Sequence, residues 1–300
     1  RVAIERAFVR QAHRLERLFN GGTATQGAVA AAIALVPPAL GAGLAWWALS
    51  TLHPLAGFAF NVAVLYAMMG FRRFSHAVSA IVAAFKSGDV TAARRALAAW
   101  RGDVSAELSS GDIARLAIER GLVDAYRQVF AVLFWFTLLP GPTGAVLYRA
   151  AARLAQEWAE PPPGADATPL TRERDRFGAP VRRLLTLLDW LPVRLTAIAF
   201  AAVGDFEDAV ASWRTQAKSW AREAGGTSMG IVLASGAGAL GVVLVGTLPS
   251  PGGEPEWRPE LGMGDAVEPE ILPSAVGLVW RALLLWLAVI LMVTVAHLLP

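Results

Sequence analysis

From Leu18 to Phe71 the chain reads LFNGGTATQGAVAAAIALVPPALGAGLAWWALSTLHPLAGFAFNVAVLYAMMGF, without a single Asp, Glu, Lys or Arg. A transmembrane α-helix needs about 20 consecutive, mostly apolar residues, so this stretch is long enough for two of them. The residues Ser50–Pro54 supply a turn between the two halves. The sequence therefore predicts membrane-spanning helices at about Val29–Leu49 and Pro54–Phe71.

Two more windows of this kind follow in the C-terminal part of the chain. No charged residue occurs from Ala224 to Gly253, and the apolar part of this window, Met229–Leu248, is long enough to span a bilayer. The window Ile271–Pro300 contains only Arg281, which lies near one end of the predicted helix and can snorkel to the interface. We therefore predict about four full transmembrane helices.

The composition agrees with a membrane protein. Hydrophobic residues make up 55% of the 300 residues and charged residues 17%, against roughly 25% charged in a soluble domain. The 11 Trp suit membrane interfaces, and the absence of Cys excludes disulfides, thiolate metal sites and Cys nucleophiles. We predict an all-α integral protein that crosses a bacterial inner (cytoplasmic) membrane several times, with the lipid bilayer as its first partner.

The basic residues are spread over several segments. A nucleic-acid-binding protein would concentrate them, together with aromatic residues, on one face. Their distribution instead follows the positive-inside rule, so no nucleic-acid partner is expected. The same rule places the N-terminal segment and residues 72–127 in the cytoplasm. It also predicts that the helix at Met229–Leu248 exports the acidic loop that follows it.

Two stretches read as broken or re-entrant helices. Gln128–Tyr148 has no charge, but a Pro-Gly-Pro run at positions 140–142 interrupts it. Irregular backbone at membrane depth survives only where protein or water satisfies it. Leu184–Val203 carries three residues that disfavour a continuous apolar helix near its middle: Asp189, Pro192 and Arg194.

These observations divide the chain into five segments. They are an amphipathic interfacial segment (1–28), a transmembrane hairpin (29–71), a helical cytoplasmic domain (72–127), broken or re-entrant membrane helices with an intervening loop (128–203), and a C-terminal transmembrane pair (204–300) with an acidic loop (250–273). The first segment is amphipathic because its arginines at positions 6, 10, 14 and 17 share one helical face, opposite Phe8, Leu15 and Phe19.

Ionisable residues close to the predicted breaks are candidate functional residues. Glu119 and Asp124 lie on the helix that leads into the Gln128–Tyr148 hairpin, and Asp189 and Arg194 flank Pro192. The structural alternative for the second pair is an ion pair that merely locks the break.

Three further clusters have simple structural alternatives. Asp205, with two more acidic residues close behind it, could bind a divalent ion with phosphates or could stabilise a helix N-terminus. Arg72, Arg73 and His76 could bind a phosphate or a lipid head group, or could act as ordinary membrane anchors. The string Gly236–Gly241 matches G-x-G-x-x-G, but its apolar surroundings favour close helix packing. No histidine has metal-ligand spacing, and no metal site is predicted.

The stretch LDWLPVRLTA at Leu188–Ala197, followed by Gly204-Asp205-Phe206, resembles the CobD/CbiB and AmpE superfamily of bacterial inner-membrane proteins. Weaker matches occur in the same order along the chain: Gly88-Asp89 with Ala92–Leu97, Ile113–Glu119, Leu133–Trp135 with Pro142 and Gly144–Arg149, and Gly236–Gly241. The resemblance implies one of two roles. CobD/CbiB proteins are membrane enzymes of cobalamin assembly that use ATP to join cobyric acid to an aminopropanol phosphate unit through an amide. AmpE proteins are regulators associated with β-lactamase induction.

Two departures from the enzyme pattern bear on the choice. After Glu119 the chain continues RGLVDAY, without the acidic-plus-Asn pair of the enzyme branch. After Tyr148-Arg149 it continues AAARLAQEW, without the Asn and Asp of that branch. An ATP-dependent ligase needs oxygen ligands for Mg²⁺ and well-placed donors for phosphates. These losses favour an AmpE-like, divergent and non-catalytic regulatory or scaffold member.

Two alternatives remain open. In the first, the chain is an adenosylcobinamide-phosphate synthase that uses Mg²⁺ and ATP. Its candidate ligands and donors are then Glu119, Asp124, Asp189, Arg194 and Asp205. In the second, it is an accessory subunit of a membrane complex. A membrane protein or a second copy of the chain is the expected partner besides lipid.

Overall fold

The computed structural model describes residues 2–102, 108–158, 169–223, 225–244 and 258–298. These residues form two compact units. The first unit comprises Arg1–Met69 and Ala131–Trp190, and the second comprises Gly70–Phe130 and Leu191–Pro300. The fold is almost entirely helical, which confirms the predicted all-α class.

The elements follow one another in this order: α1 (Val2–Phe19), α2 (Ala24–Leu52), α3 (Pro54–Met68), α4 (Phe71–Lys86), α5 (Val90–Arg101), α6 (Ser110–Ala125), a π-helical turn (Tyr126–Phe130), α7 (Ala131–Leu138), α8 (Thr143–Glu157), α9 (Pro169–Val203), α10 (Phe206–Gln216), a 3-10 turn (Ala217–Arg222), α11 (Gly226–Leu240), β1 (Val242–Leu244), β2 (Leu261–Gly262), β3 (Asp265–Ala266), a 3-10 turn (Pro269–Ile271) and α12 (Leu272–Leu298).

In the described part of the chain, three helical stretches are long and apolar enough to cross a membrane: Ala24–Leu52, Arg176–Val203 and Pro269–His297. The first and the third contain the predicted spans near Val29–Leu49 and Ile271–Pro300. Large apolar side chains on α2 and on the second half of α12 are exposed, among them Trp47 and Leu291. Exposed apolar surface on such helices is expected where lipid is the solvent.

The full span predicted at Met229–Leu248 is not one continuous helix, and its residues 245–248 lie outside the described part. Helix α11 has 15 residues and ends at Leu240, because Gly241 adopts a left-handed conformation with φ of 67° and β1 follows. At 1.5 Å per residue this helix measures about 22 Å, short of the roughly 30 Å of a bilayer core. Every residue from Met229 to Ala239 is buried within the second unit, which explains the apolar composition without lipid.

Helix α3 is also shorter than predicted. It has 15 residues, begins at Pro54 with a cap in which His53 Nδ1 accepts a hydrogen bond from the Leu55 amide, and ends at Met68. Met69 is extended, so the predicted span to Phe71 is not one helix. Its exposed apolar residues, which include Phe58 and Val62, nevertheless give it a lipid-compatible surface.

The break predicted within Leu184–Val203 is absent, and α9 runs unbroken through it. Two hydrogen bonds from other helices satisfy the polar groups that suggested a break. The Asp189 carboxylate accepts one from the Tyr148 hydroxyl. The Leu188 carbonyl, which lacks a backbone donor because residue 192 is proline, accepts one from Trp135 Nε1.

The break at positions 140–142 is present. Helix α7 ends at Leu138, and α8 begins at Thr143. Gly141 has φ of 59°, and a Cβ there would lie 2.5 Å from the Trp46 ring, so this turn requires glycine. The position of the hairpin at membrane depth stays a prediction.

Helix α1 is amphipathic as predicted, but its apolar face covers protein. Ala12 and Leu15 are buried where α1 packs on α2 and α8. His13 Nε2 lies 3.4 Å from Glu157 Oε2 of α8. The arginine-bearing face is left exposed.

The second unit is built around α11, which packs on α10. A Cβ on Gly238 would lie 2.4 Å from the Asp208 carbonyl oxygen, so the glycine string allows close helix approach as predicted. A small sheet of order β2-β1-β3 follows, with β2 antiparallel and β3 parallel to β1. The Gln216 side-chain amide donates to the Gly262 carbonyl (3.1 Å) and accepts from the Gly262 amide (2.7 Å), which fixes β2 against α10.

Candidate functional site

The charged residues of α6 form the clearest polar site of the second unit. Ser109 and Asp112 make a capping box that starts this helix. Spacings of three and four residues then place Asp112, Arg115 and Glu119 on one helical face. Arg115 Nη2 lies 3.3 Å from Asp112 Oδ1.

Arg258 reaches this face from the segment just before β2. Its Nη1 donates to Glu119 Oε1 at 2.8 Å, and both side chains are largely buried, with 15% and 19% exposed. The Arg258 guanidinium carbon also lies 5.9 Å from the Trp220 ring centroid, within range of a cation–π contact. We call Asp112, Arg115, Glu119, Trp220 and Arg258 the α6 cluster.

The α6 cluster contains two guanidinium groups, each close to a carboxylate. The Arg115–Asp112 ion pair is not aligned as a hydrogen bond, and Arg115 Nη2 has no hydrogen-bond partner among the described residues. Burial lowers the pKa of Arg115, while Asp112 and Glu119 act in the opposite direction. An arginine remains protonated in practice. A guanidinium is the group that best matches the planar, bidentate geometry of carboxylates and phosphates.

Asp124 lies farther along α6 and has a structural explanation. It is 7% exposed and accepts hydrogen bonds from Trp100 Nε1 (3.0 Å) and Arg120 Nε (3.2 Å), which connects α5 to α6. The π-helical turn Tyr126–Phe130 follows directly, a rare element that often occurs at functional sites.

The polar site of the first unit is centred on Asp189, which is 3% exposed. Its carboxylate accepts a hydrogen bond of 2.8 Å from the Tyr148 hydroxyl on α8. Trp135 Nε1 on α7 donates to the neighbouring Leu188 carbonyl at 3.2 Å. Both helices of the hairpin therefore hold this part of α9. Arg194, predicted with Asp189, lies in the part of α9 that belongs to the second unit.

The remaining predicted residues do not join these sites. Asp205 is exposed and caps α10 by accepting from the Asp208 amide at 3.0 Å, which is the structural alternative for this residue. His76 is exposed on α4, and the side chains of Arg72 and Arg73 lie outside the described part, so their phosphate or lipid role stays a prediction. No three acidic or histidine side chains converge among the described residues.

Sequence reasoning missed Arg258, Arg115, Trp220 and Tyr148. Arg258 is the lone basic residue of the acidic segment 250–273, which was the available signal. Its contact with Glu119 contradicts the prediction that this loop and residues 72–127 lie on opposite sides of the membrane. The loop residue Arg258 and the α6 residue Glu119 cannot lie on opposite sides of a membrane and be 2.8 Å apart.

A family model described as CobD/Cbib protein matches residues 4–279. The chain belongs to the CobD/Cbib family. It is 36% identical over 289 residues to cobalamin biosynthesis protein CobD of Stutzerimonas stutzeri (strain A1501), covering 95% of this chain and 89% of that protein. The protein of the same name from Chromobacterium violaceum is 36% identical over 266 residues, covering 88% and 78%. No solved structure matches this CobD/Cbib chain.

Family membership confirms the resemblance and corrects the expected role. The prediction of an AmpE-like, non-catalytic regulator or scaffold is wrong, since the two relatives at 36% identity carry the cobalamin biosynthesis name. The prediction relied on two short polar motifs after Glu119 and Tyr148. The 36% identity to a cobalamin biosynthesis protein extends over 95% of this chain, and it outweighs the loss of a few polar side chains.

Proposed function

We propose that this CobD/Cbib protein is an enzyme of cobalamin biosynthesis. Its reaction is the ATP-dependent formation of an amide between cobyric acid and aminopropanol phosphate, which gives adenosylcobinamide phosphate. The observation that supports this most is the 36% identity, over 95% and 88% of the chain, to two proteins named for cobalamin biosynthesis.

The reaction needs an enzyme that binds anions. A carboxylate becomes reactive toward an amine when ATP transfers a phosphoryl group to it, and phosphate leaves when the amine attacks. The α6 cluster provides two largely buried guanidiniums, Arg115 and Arg258. Donors placed where negative charge develops are the main source of catalysis in phosphoryl transfer. We assign these two arginines to phosphate or carboxylate oxygens, with Glu119 as the residue that positions Arg258.

Mg²⁺ normally accompanies ATP and takes one or two carboxylates together with the phosphates. The nearest carboxylates in the α6 cluster, Asp112 and Glu119, are already engaged in ion pairs with arginines. This donor set fits a magnesium ion poorly, so no ligand is assigned and no step depends on one.

In the first unit we assign a positioning role to Asp189. A buried carboxylate within a helix long enough to span the membrane is a functional candidate, and Asp189 holds the Tyr148 hydroxyl at 2.8 Å. The cellular location we propose is the bacterial inner membrane, which the chain crosses several times. Three candidate spans support this location.

A combined genetic and biochemical experiment tests the function. The gene is expressed in a strain that lacks the synthase and needs it for growth on cobyric acid. The purified chain is then assayed for adenosylcobinamide phosphate by mass spectrometry after addition of cobyric acid, aminopropanol phosphate and ATP. We expect growth and product formation. Glu119→Gln should lower product formation at least about tenfold, one unit of 1.4 kcal/mol in the barrier.

The matched control is Glu207→Gln, which removes an exposed carboxylate from α10. This variant should retain the rate of the unmodified protein. A folded, well-expressed chain that neither restores growth nor forms product would contradict the proposed enzyme. Equal rates for the two variants would show that Glu119 has no role in the reaction, while the proposed enzyme activity would still stand.

A further inference from the structure

The exposed face of α1 carries four arginines in one stripe. With 3.6 residues per turn, positions 6, 10, 14 and 17 fall within an arc of about 80°. All four side chains are exposed. The opposite side of the helix is occupied by Ala12 and Leu15, which pack against protein. The stripe is therefore held outward by the fold, and no ion pair joins it to a carboxylate among the described side chains of the first unit.

Two acidic residues near the stripe contact other basic groups. Glu16 lies 3.7 Å from His13 Nδ1, and Glu157 of α8 lies 3.4 Å from His13 Nε2 and 3.3 Å from Arg153. Four residues of the same helix face, Arg10, His13, Arg14 and Arg17, line an open groove of about 810 Å³, together with Gln11 and Glu16 among the described residues. Cations thus outnumber acids along this groove.

The stripe is close in the chain to a candidate membrane span. Helix α1 ends at Phe19, and the candidate span α2 begins at Ala24. Four intervening residues can extend over at most about 14 Å, and the Debye length at physiological ionic strength is about 8 Å. A cluster of four basic residues directly beside a transmembrane helix on its cytoplasmic side is the arrangement that attracts anionic lipids.

We propose that the arginine stripe of α1 is a binding surface for anionic phospholipid head groups. Arg6, Arg10, Arg14 and Arg17 contact lipid phosphates at the edge of the bilayer, and the packing of Ala12 and Leu15 on α2 and α8 fixes their direction. This surface is separate from the α6 cluster and does not depend on the proposed reaction.

The experiment measures lipid preference around the intact protein. The full chain is reconstituted in vesicles of phosphatidylcholine containing one-third phosphatidylglycerol. Spin-labelled phosphatidylglycerol and phosphatidylcholine then report the relative association constant of each lipid. We expect a preference for phosphatidylglycerol that falls at least about fivefold in the variant Arg10→Gln/Arg14→Gln/Arg17→Gln, since each basic group near the surface contributes up to about fivefold.

A matched control removes three exposed cations elsewhere, in Arg95→Gln/Arg214→Gln/Lys218→Gln. It should keep the preference, as should Arg10→Lys/Arg14→Lys/Arg17→Lys. If the glutamine variant does not fold, raising NaCl from low to high concentration should remove the preference of the unmodified protein. No preference for phosphatidylglycerol, an equal loss in the control, or a preference that salt leaves unchanged would each overturn the proposal. Displacement by millimolar inorganic phosphate would assign the stripe to a soluble anion and also overturn it.

Discussion

Arg258 donates a 2.8 Å hydrogen bond to Glu119, a residue 139 positions earlier in the chain. The same two parts of the chain also come close at Gly111, where a Cβ would be 3.1 Å from the Val267 carbonyl oxygen. The segment around β2 and β3 therefore lies against α6. This contact determines which parts of the second unit share one side of the membrane.

Topology can be tested directly, because the chain has no cysteine and single cysteines can be labelled without background. Ser110→Cys at the start of α6 and Asp265→Cys on β3 both place the thiol at an exposed position. We expect a membrane-impermeant maleimide to label both from the cytoplasmic side, in inverted vesicles but not in intact cells. Labelling of the two positions from opposite sides would contradict the arrangement of the second unit.

The Glu119–Arg258 pair should be energetically coupled. Each single variant, Glu119→Gln and Arg258→Gln, is expected to lower the free energy of unfolding by about 1–3 kcal/mol, since a charged partner is left without its counterpart. The double variant should cost less than the sum of the two, with a coupling of at least about 0.5 kcal/mol. Unfolding in detergent measures all three, and Glu207→Gln, with an expected change within about 0.5 kcal/mol, is the reference. Strict additivity would show that the pair does not stabilise the fold.

Tyr148→Phe removes the hydroxyl that donates to buried Asp189. We expect a loss of about 1–3 kcal/mol in the free energy of unfolding, because a buried carboxylate oxygen loses a donor. Tyr66→Phe is the matched control, since Tyr66 is 68% exposed on α3. If the two variants unfold at the same temperature, the Tyr148 hydroxyl contributes nothing to the first unit.

Gly262→Ala should be much more damaging than Gly88→Ala. Both glycines have positive φ, 98° and 72°, so each alanine is strained by about 1–2 kcal/mol. A Cβ on Gly262 would also lie 2.1 Å from the Val242 carbonyl oxygen, whereas a Cβ on Gly88 would meet nothing within 4 Å. We expect a loss above about 3 kcal/mol for Gly262→Ala, seen as a lower unfolding temperature. Similar losses for both would contradict the close packing of β2 on β1.

The sequence predicted well that the chain is an all-α membrane protein and where the apolar helices α2 and α12 lie. Charge-free windows located α2 and α12, because a helix in lipid must lack charge on nearly every face. The same rule failed for α11, since a helix buried in protein is as apolar as one in lipid. Helix α11 differs from a lipid-facing helix in its burial and in its early end at the left-handed Gly241, which β1 follows.

At α9 the same rule, which takes a charge-free window as the sign of a membrane helix, predicted a break where the helix is continuous. Asp189 and Pro192 suggested a break, but the hydroxyl that satisfies Asp189 comes from Tyr148, which lies 41 positions earlier. The candidate site was predicted in part for the same reason. Glu119 was identified from its place on the helix that leads into the hairpin, whereas its contact with Arg258, 139 positions later, is visible only in the structure.

The paired bonds between Gln216 and Gly262 have a consequence for how the protein behaves among its neighbours. Strand β2 forms the outer side of the small sheet, where an unpaired peptide group could recruit a strand from another molecule. The Gln216 side-chain amide occupies both the backbone N–H and the backbone carbonyl of Gly262 on this strand. The β2 edge is thereby protected from pairing with a strand of another molecule by a single side chain, which leaves β3 as the other edge of the sheet.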